Sequence, residues 1–265
     1  MRILLCNDDG INARGIQALM KELSSIAEIY VVAPDRERSG TGHSITVFDP
    51  IRVARVNIPG IKAGWVAEGT PVDCVKLAIN KLITDKIDLV VSGINHGANL
   101  GTDVLYSGTV SAAAEGVIMG VPSFAISLNS YDKNMDFNFS ARITKQMVKT
   151  VMRKGLDKET LININIPAIP PQAIQGIRIT RLGVRNYDNL FEERQDPRGN
   201  TYYWLGGGVV DEYQEEDSDV IAVEQGWISV TPIHLDLTDY ELIKQFRESF
   251  ACYLEKLNGD KDDIS

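Results

Sequence analysis

Two adjacent carboxylates, Asp8 and Asp9, follow the apolar run Ile3-Leu4-Leu5-Cys6, with Asn7 before them and Gly10 after. Carboxylates this close disfavour each other's ionisation unless something positive compensates, and a hard divalent cation does so through side-chain oxygens. A solvated turn is the other reading, because Asp and Gly commonly end strands. Further polar clusters follow later apolar runs. Asp35-Arg36-Glu37-Arg38-Ser39-Gly40-Thr41-Gly42-His43-Ser44 is polar and glycine-bearing, able to fold over a site, and Ser92-Gly93-Ile94-Asn95-His96-Gly97-Ala98-Asn99-Leu100-Gly101 supplies amides and a hydroxyl. Such oxygens are hard donors that suit magnesium, manganese or calcium better than zinc. Asn95 and Asn99 can equally serve to turn a loop. Tyr106-Ser107-Gly108-Thr109 stands before an alanine-rich stretch, where Ser107 or Thr109 can cap a helix. The free N–H groups of that helix start form an anion site, suited to phosphate, or serve only as an ordinary cap.

These clusters converge only if strands carry them to one edge. Ile3 to Cys6, Ile29 to Ala33, Ile87 to Val91 and Ser123 to Leu128 are nearly continuous apolar runs, as expected of parallel strands covered on both faces. Between them lie helical patterns: Gly15 to Ile26, Val72 to Leu82 with Thr70 as N-cap, Pro71 at the first position and Asp73 completing a capping box, and Val110 to Met119. Phe139 to Lys154 reads as an amphipathic helix and Leu161 to Ile166 as a further strand. The alternation predicts an α/β fold with a doubly wound, mostly parallel sheet, Rossmann-like and three-layered, over residues 1–175. Parallel strands deliver their C-terminal ends to one rim, which gathers the polar clusters.

From residue 176 to 232 the pattern is β-rich: Ile177 to Thr180, Tyr202 to Leu205, Val220 to Glu224 and Trp227 to Thr231, with Gly206 to Gly208 as a turn and Asp211 to Asp219 as an acidic loop. This stretch is expected to extend the core. Residues 233–265 hold a helix, Tyr240 to Leu257, capped at Thr238, and an acidic tail from Gly259 to Asp263.

The chain has 265 residues and a net charge of -9, which argues against a broad surface for polymeric nucleic acid. A small anionic substrate remains compatible. Cys6, Cys74 and Cys252 sit in apolar surroundings without C-x-x-C spacing, so buried thiols in a reducing, cytoplasmic setting are expected. No stretch approaches membrane-spanning length. There is no P-loop, no G-x-G-x-x-G after the first strand and no G-x-S-x-G elbow. Gly10 stands where a D-x-D phosphatase would need its second Asp, and Ser92, Gly93 and Asn95 stand where a receiver domain would carry its phospho-acceptor. His43 in the polar loop could assist as an acid or contact substrate, or equally be a solvated loop residue; His96 has no carboxylate partner by spacing, and His234 reads as structural.

The segments Asn7 to Gly10, Ser39-Gly40, Gly69-Thr70-Pro71-Val72-Asp73-Cys74-Val75, Ser92 to Gly101, Tyr106 to Val110, Tyr203-Trp204-Leu205-Gly206-Gly207 and Thr231-Pro232 together resemble the SurE family of stationary-phase survival nucleotidases. The match spans almost the whole chain in order. The resemblance implies a metal-dependent 5'-nucleotidase that removes phosphate from nucleoside monophosphates, with further activity on 3'-nucleotides and short polyphosphate. It implies one divalent ion per subunit, Mg or Mn, held by Asp8, Asp9, Ser39 and Asn95, and a phosphate held by Asn99, Ser107, Gly108 and Thr109. Asp8 and Asp9 are then also the candidate catalytic residues. A homodimer or homotetramer that exchanges segments of the β-rich stretch is also implied.

Overall fold

In a computed structural model of the chain, the apolar runs are continuous because their strands are covered twice. In β1 (Arg2–Cys6), Ile3 and Leu5 enter one hydrophobic core while Leu4 and Cys6 enter another. β2 (Glu28–Pro34) repeats the division, with Ile29 and Val31 on one face and Tyr30 and Val32 on the other. Successive strand side chains point to opposite faces, so a doubly covered strand leaves no polar positions to alternate. The first core is closed by α1 (Arg14–Leu23), through Ile16, Leu19, Met20 and Leu23. The second is closed by α2 (Pro71–Leu77), through Cys74 and Val75, and α3 (Gly108–Ile118), through Ala112. Across the first face, α4 (Asn138–Lys154) packs on α1 and contributes Ala141 and Val148. The result is the three-layer α/β arrangement expected.

The structure describes residues 1–132, 134–188, 191–210 and 214–259, with side chains to residue 250. It comprises two compact units, Met1–Ile233 and His234–Ser265. In the first, the further strands are β3 (Val53–Val56), β4 (Ala63–Ala67), β5 (Leu89–His96), β6 (Ser123–Asn129), β7 (Leu161–Pro167), β8 (Gly176–Ile179), β9 (Asn186–Tyr187), β10 (Phe191–Gln195), β11 (Thr201–Leu205), β12 (Val209–Val210) and β13 (Trp227–Ile233). A nine-stranded sheet runs β3-β4-β2-β1-β5-β6-β7-β13-β8. From β4 to β7 every neighbouring pair is parallel, whereas β3 and β13 lie antiparallel to β4 and β7. Successive parallel strands are added outward in one direction from β1 and in the other from β5. The boundary between those two strands is a topological switch point, where α/β sheets open a crevice for ligands.

Several local expectations change. Residues Ser92 to His96 do not form a loop: they continue β5, because after an irregularity between Ser92 and Asn95 the pairing with β6 resumes at Asn95–Ser127 and His96–Leu128. β3 and β4 were not anticipated; they are short and half exposed, at the sheet edge. Val220 to Glu224 is not a strand but part of α5 (Asp219–Glu224), capped by the Ser218 hydroxyl, which accepts from the Ile221 N–H. The cap and the burial of Val220, Ala222 and Val223 outweigh the strand preference of β-branched residues. The ends of the 176–232 segment, β8 and β13, lie in the main sheet, while β9 to β12 form two separate two-stranded sheets.

In the second unit, α6 (Tyr240–Gly259) is capped at Asp239, whose carboxylate accepts from the Leu242 N–H, rather than at Thr238. The acidic tail beyond Gly259, the side chain of Cys252 and residues 211–213 of the acidic loop lie outside the described residues. Cys6 and Cys74 are free, buried thiols. Among the described residues no helix is long and apolar enough to cross a membrane.

Candidate functional site

Asp8 and Asp9 leave β1 at the switch point and meet different surroundings. Asp8 is 3% exposed and lies against the start of α3, where the Thr109 hydroxyl donates to its Oδ1 and the Thr109 backbone N–H faces the same carboxylate. The approach is so close that a Cβ on Gly108 would stand 2.8 Å from the Asp8 Cβ and 3.0 Å from Oδ2. Only glycine fits there. Asp9 is more open and faces the backbone N–H of His96 at the end of β5. One carboxylate is thus tied to α3, and the other to β5.

Burial is the main cause that raises both acids above the ordinary carboxylate range, and the Asp8 charge adds to it at Asp9, which is pushed up to about 7. Thr109 and the backbone offset part of this at Asp8, while Glu37 adds negative charge to both. Among the described residues, the neighbours that act most on this pair are neutral donors and a further anion. Two carboxylates desolvated side by side are an environment that a bound cation stabilises. Among the described residues no group of three or more His, Cys, Asp or Glu side chains could hold a metal, so neutral oxygens must complete any such ligand set.

Neutral oxygens lie close along the chain. The Arg38 N–H donates to the Asp8 carbonyl at 2.7 Å, which fixes Ser39 one residue from the pair. The Ser39 side chain itself is exposed and donates to Glu37 Oε1 at 2.8 Å. Asn95 is half-buried, with its amide Nδ2 donating to the Gly97 carbonyl at 2.8 Å; that bond turns the other amide atom, Oδ1, into the acceptor left for a ligand.

Asn99 is held more firmly than its position in a polar loop suggested. Its backbone N–H donates to Asn165 Oδ1 at 2.8 Å, its carbonyl accepts from Asn163 and Asn165, and its Nδ2 donates to Ser127 at 2.7 Å. Asn163, Asn165 and Ser127 are fully buried on β7 and β6 and were missed as site residues. Their signal was present: Asn163 and Asn165 alternate with isoleucines in an otherwise apolar strand, and polar groups at such positions need a partner. Asp219, also buried, accepts from the N–H groups of Gly101 and Gly183 and pins the loop beyond Asn99.

At the α3 start, Ser107 rather than Thr109 is the N-cap, accepting from the Val110 N–H at 3.1 Å. Thr109 is committed to Asp8 by its hydroxyl. The Gly108 backbone N–H and the Ser107 hydroxyl proton are therefore the donors at this helix start that Asp8 and the cap leave over. His43 and His96 take no part in the carboxylate pair through their rings: His43 Nε2 meets Glu115, and His96 Nε2 meets the Asp132 carbonyl.

Comparisons with known proteins agree on one family. A family model described as survival protein SurE matches residues 3–189. Among curated relatives, the 5'-nucleotidase SurE of Syntrophomonas wolfei is 69% identical over 263 residues, covering 99% of each chain. The 5'-nucleotidase SurE of Heliobacterium modesticaldum is 52% identical over 246 residues, covering 92% of this chain and 90% of its own. The crystal structure of the SurE protein from Aquifex aeolicus superimposes with a TM-score of 0.81 at 41% identity, covering 96% of this chain and all of that one.

Proposed function

The chain belongs to the SurE survival protein family, and from that premise we propose that it is a 5'-nucleotidase hydrolysing nucleoside 5'-monophosphates to nucleoside and phosphate. The proposal extends to 3'-nucleotides and short polyphosphate as further substrates, and to dependence on one divalent ion per subunit, Mg or Mn. The observation that carries it is the seating of Asp8 against the start of α3, which sets a desolvated carboxylate pair beside a helix N-terminus. A phosphate ester needs donors for its oxygens and a means of offsetting its charge; the helix start would supply the first, and a cation held by the carboxylate pair the second, at one rim.

Asp8, Asp9, Ser39 and Asn95 would hold the ion, whose hard-oxygen preference fits the donor set. When bound, it supplies neutralisation of phosphate charge and acidification of a water molecule. The Gly108 N–H and the Ser107 hydroxyl would donate to phosphate oxygens, with Thr109 acting through Asp8 and Asn99 set in place by β7. Asp8 or Asp9 would take the proton of the attacking water.

Assembly as a homodimer or homotetramer is part of the proposal, supported by the β10–β11 hairpin, which exposes Phe191, Tyr203, Trp204 and Leu205. The buried free thiols support a reducing, cytoplasmic setting. The test is a phosphate-release panel of AMP, 3'-AMP and tripolyphosphate in Mg and in Mn. Release from AMP in either metal is the expected result, and no release from any substrate refutes the reading.

A further inference from the structure

The segment between β2 and β3 carries Ser39, whose hydroxyl donates to its neighbour Glu37 rather than, among the described residues, to a side chain in the body of the protein. Before Ser39 the segment is tied by the Arg38 N–H to the Asp8 carbonyl at 2.7 Å, and further contacts hold it on the other side. The Gly42 N–H donates to the Tyr106 carbonyl at 3.1 Å, beside the cap of α3. One residue on, His43 Nε2 meets Glu115 Oε2 at 3.0 Å. The Ser44 carbonyl then accepts from the Thr70 hydroxyl at 2.8 Å, and Thr46 donates through its N–H and hydroxyl to Asp73. Within this series, the His43 bond is the side-chain contact nearest to Ser39 that reaches α3.

Glu115 is built to receive it. Its side chain is 2% exposed, and its other oxygen, Oε1, accepts from Lys76 Nζ of α2 at 3.0 Å. The carboxylate therefore joins α2, α3 and the Ser39 segment at one point. Between Ser39 and His43 the backbone passes through Gly40 and Gly42, both at positive φ, and Gly40 has no atom within 4 Å of where a Cβ would stand. A chain of this kind has many conformations to lose, and an anchor immediately after it removes them.

We propose that His43 is a positioning residue, a latch that bonds to buried Glu115 and so holds Ser39 at the rim occupied by Asp8 and Asp9. The inference rests on the reading of Ser39 as a metal ligand. It assigns His43 no contact with substrate. Loss of the latch leaves Glu115 paired with Lys76, so the helices keep their shared ion pair and only the segment loosens.

The test compares wild type, His43→Ala and His43→Gln by Mn titration and by amide hydrogen exchange over residues 39–44, with thermal melting as a control. Gln keeps a neutral donor that can reach Glu115. His43→Ala is expected to weaken Mn binding about tenfold, the loss of one charge-assisted hydrogen bond, and to speed exchange at Gly42, while His43→Gln recovers most of both. Unchanged Mn affinity and exchange in His43→Ala overturn the latch, as does a Gln variant no better than Ala. A wild type that binds no Mn instead overturns the metal reading of Ser39, an outcome distinguishable because the exchange measurement needs no metal.

Discussion

Gly108→Ala places one methyl group at the contact between α3 and Asp8. The added Cβ would stand 2.8 Å from the Asp8 Cβ and 3.0 Å from Oδ2, where carbon atoms ordinarily settle at roughly 3.5–4.0 Å. The clash is with the root of the Asp8 side chain, so a rotamer change cannot relieve it. Either the end of β1 or the start of α3 must move by roughly 1 Å. Stability falls by about 0–2 kcal/mol, because the gain of up to about 1 kcal/mol from alanine over glycine in a helix offsets only part of an overpacking cost of about 1–3 kcal/mol. Activity changes more: a misplacement of this size costs about 100-fold, or about 2.7 kcal/mol of transition-state stabilisation. The assay is kcat/KM for phosphate release from AMP at saturating Mn, with the melting temperature measured on the same preparation. A folded variant within about twofold of wild type would refute the claim that Asp8 must sit against α3 for turnover.

Asn165→Ala should cost about 1–3 kcal/mol in urea denaturation, since it strips the buried Asn99 N–H of its acceptor; an unchanged midpoint would mean that water replaces the amide. Treatment with EDTA followed by gel filtration should abolish phosphate release, with recovery on adding Mn or Mg, and full activity after chelation would rule out the metal. Glu115 gives a pH prediction. Burial acts to raise its pKa, but the hydrogen bonds from His43 and Lys76, reinforced by Lys76 and His43 charge, outweigh it and hold the group below its ordinary 4.5. A lowered folded pKa contributes stability that is present above 4.5 and lost as pH falls through the folded value. The stability gap between wild type and Glu115→Gln should therefore narrow as pH is taken from 6 to 3, and a gap independent of pH would reject the assignment.

The core was legible because its physics is local and repeated. Runs such as Ile3 to Cys6 and Ile29 to Ala33 can be buried on both faces only in a covered sheet, and Thr70-Pro71-Val72-Asp73 declares a helix start that the capping box bears out. What escaped depends on tertiary context. β3 and β4 are too short and too exposed to carry a pattern, and the β-branched residues of α5 favour a strand until Ser218 caps them. The place of Asp8 and Asp9 at the end of β1 was legible from the apolar run before them. The partners that orient the rest were not, because Asn165 lies 66 residues from Asn99 and Glu115 lies 72 from His43. Spacing in sequence cannot pair them; only the sheet order does.

The two carboxylates also sit in different surroundings in a way that adjacency alone could not reveal. Asp8 gives one oxygen to the Thr109 hydroxyl and has its Cβ pressed against Gly108, so its orientation is set by α3. Asp9 is more open, and among the described residues the backbone N–H of His96 is the hydrogen-bond donor that acts on it. A fixed carboxylate suits a ligand whose direction must not vary, whereas a carboxylate with free lone pairs suits proton transfer, which needs an acceptor within hydrogen-bond reach of water. Under the proposed function, Asp8 would then be the orienting group and Asp9 the base. Because Thr109 belongs to the helix start and bonds to Asp8, a shift of α3 and a shift of the carboxylate are a single event, so the anion end and the acidic end of the site cannot be tuned separately.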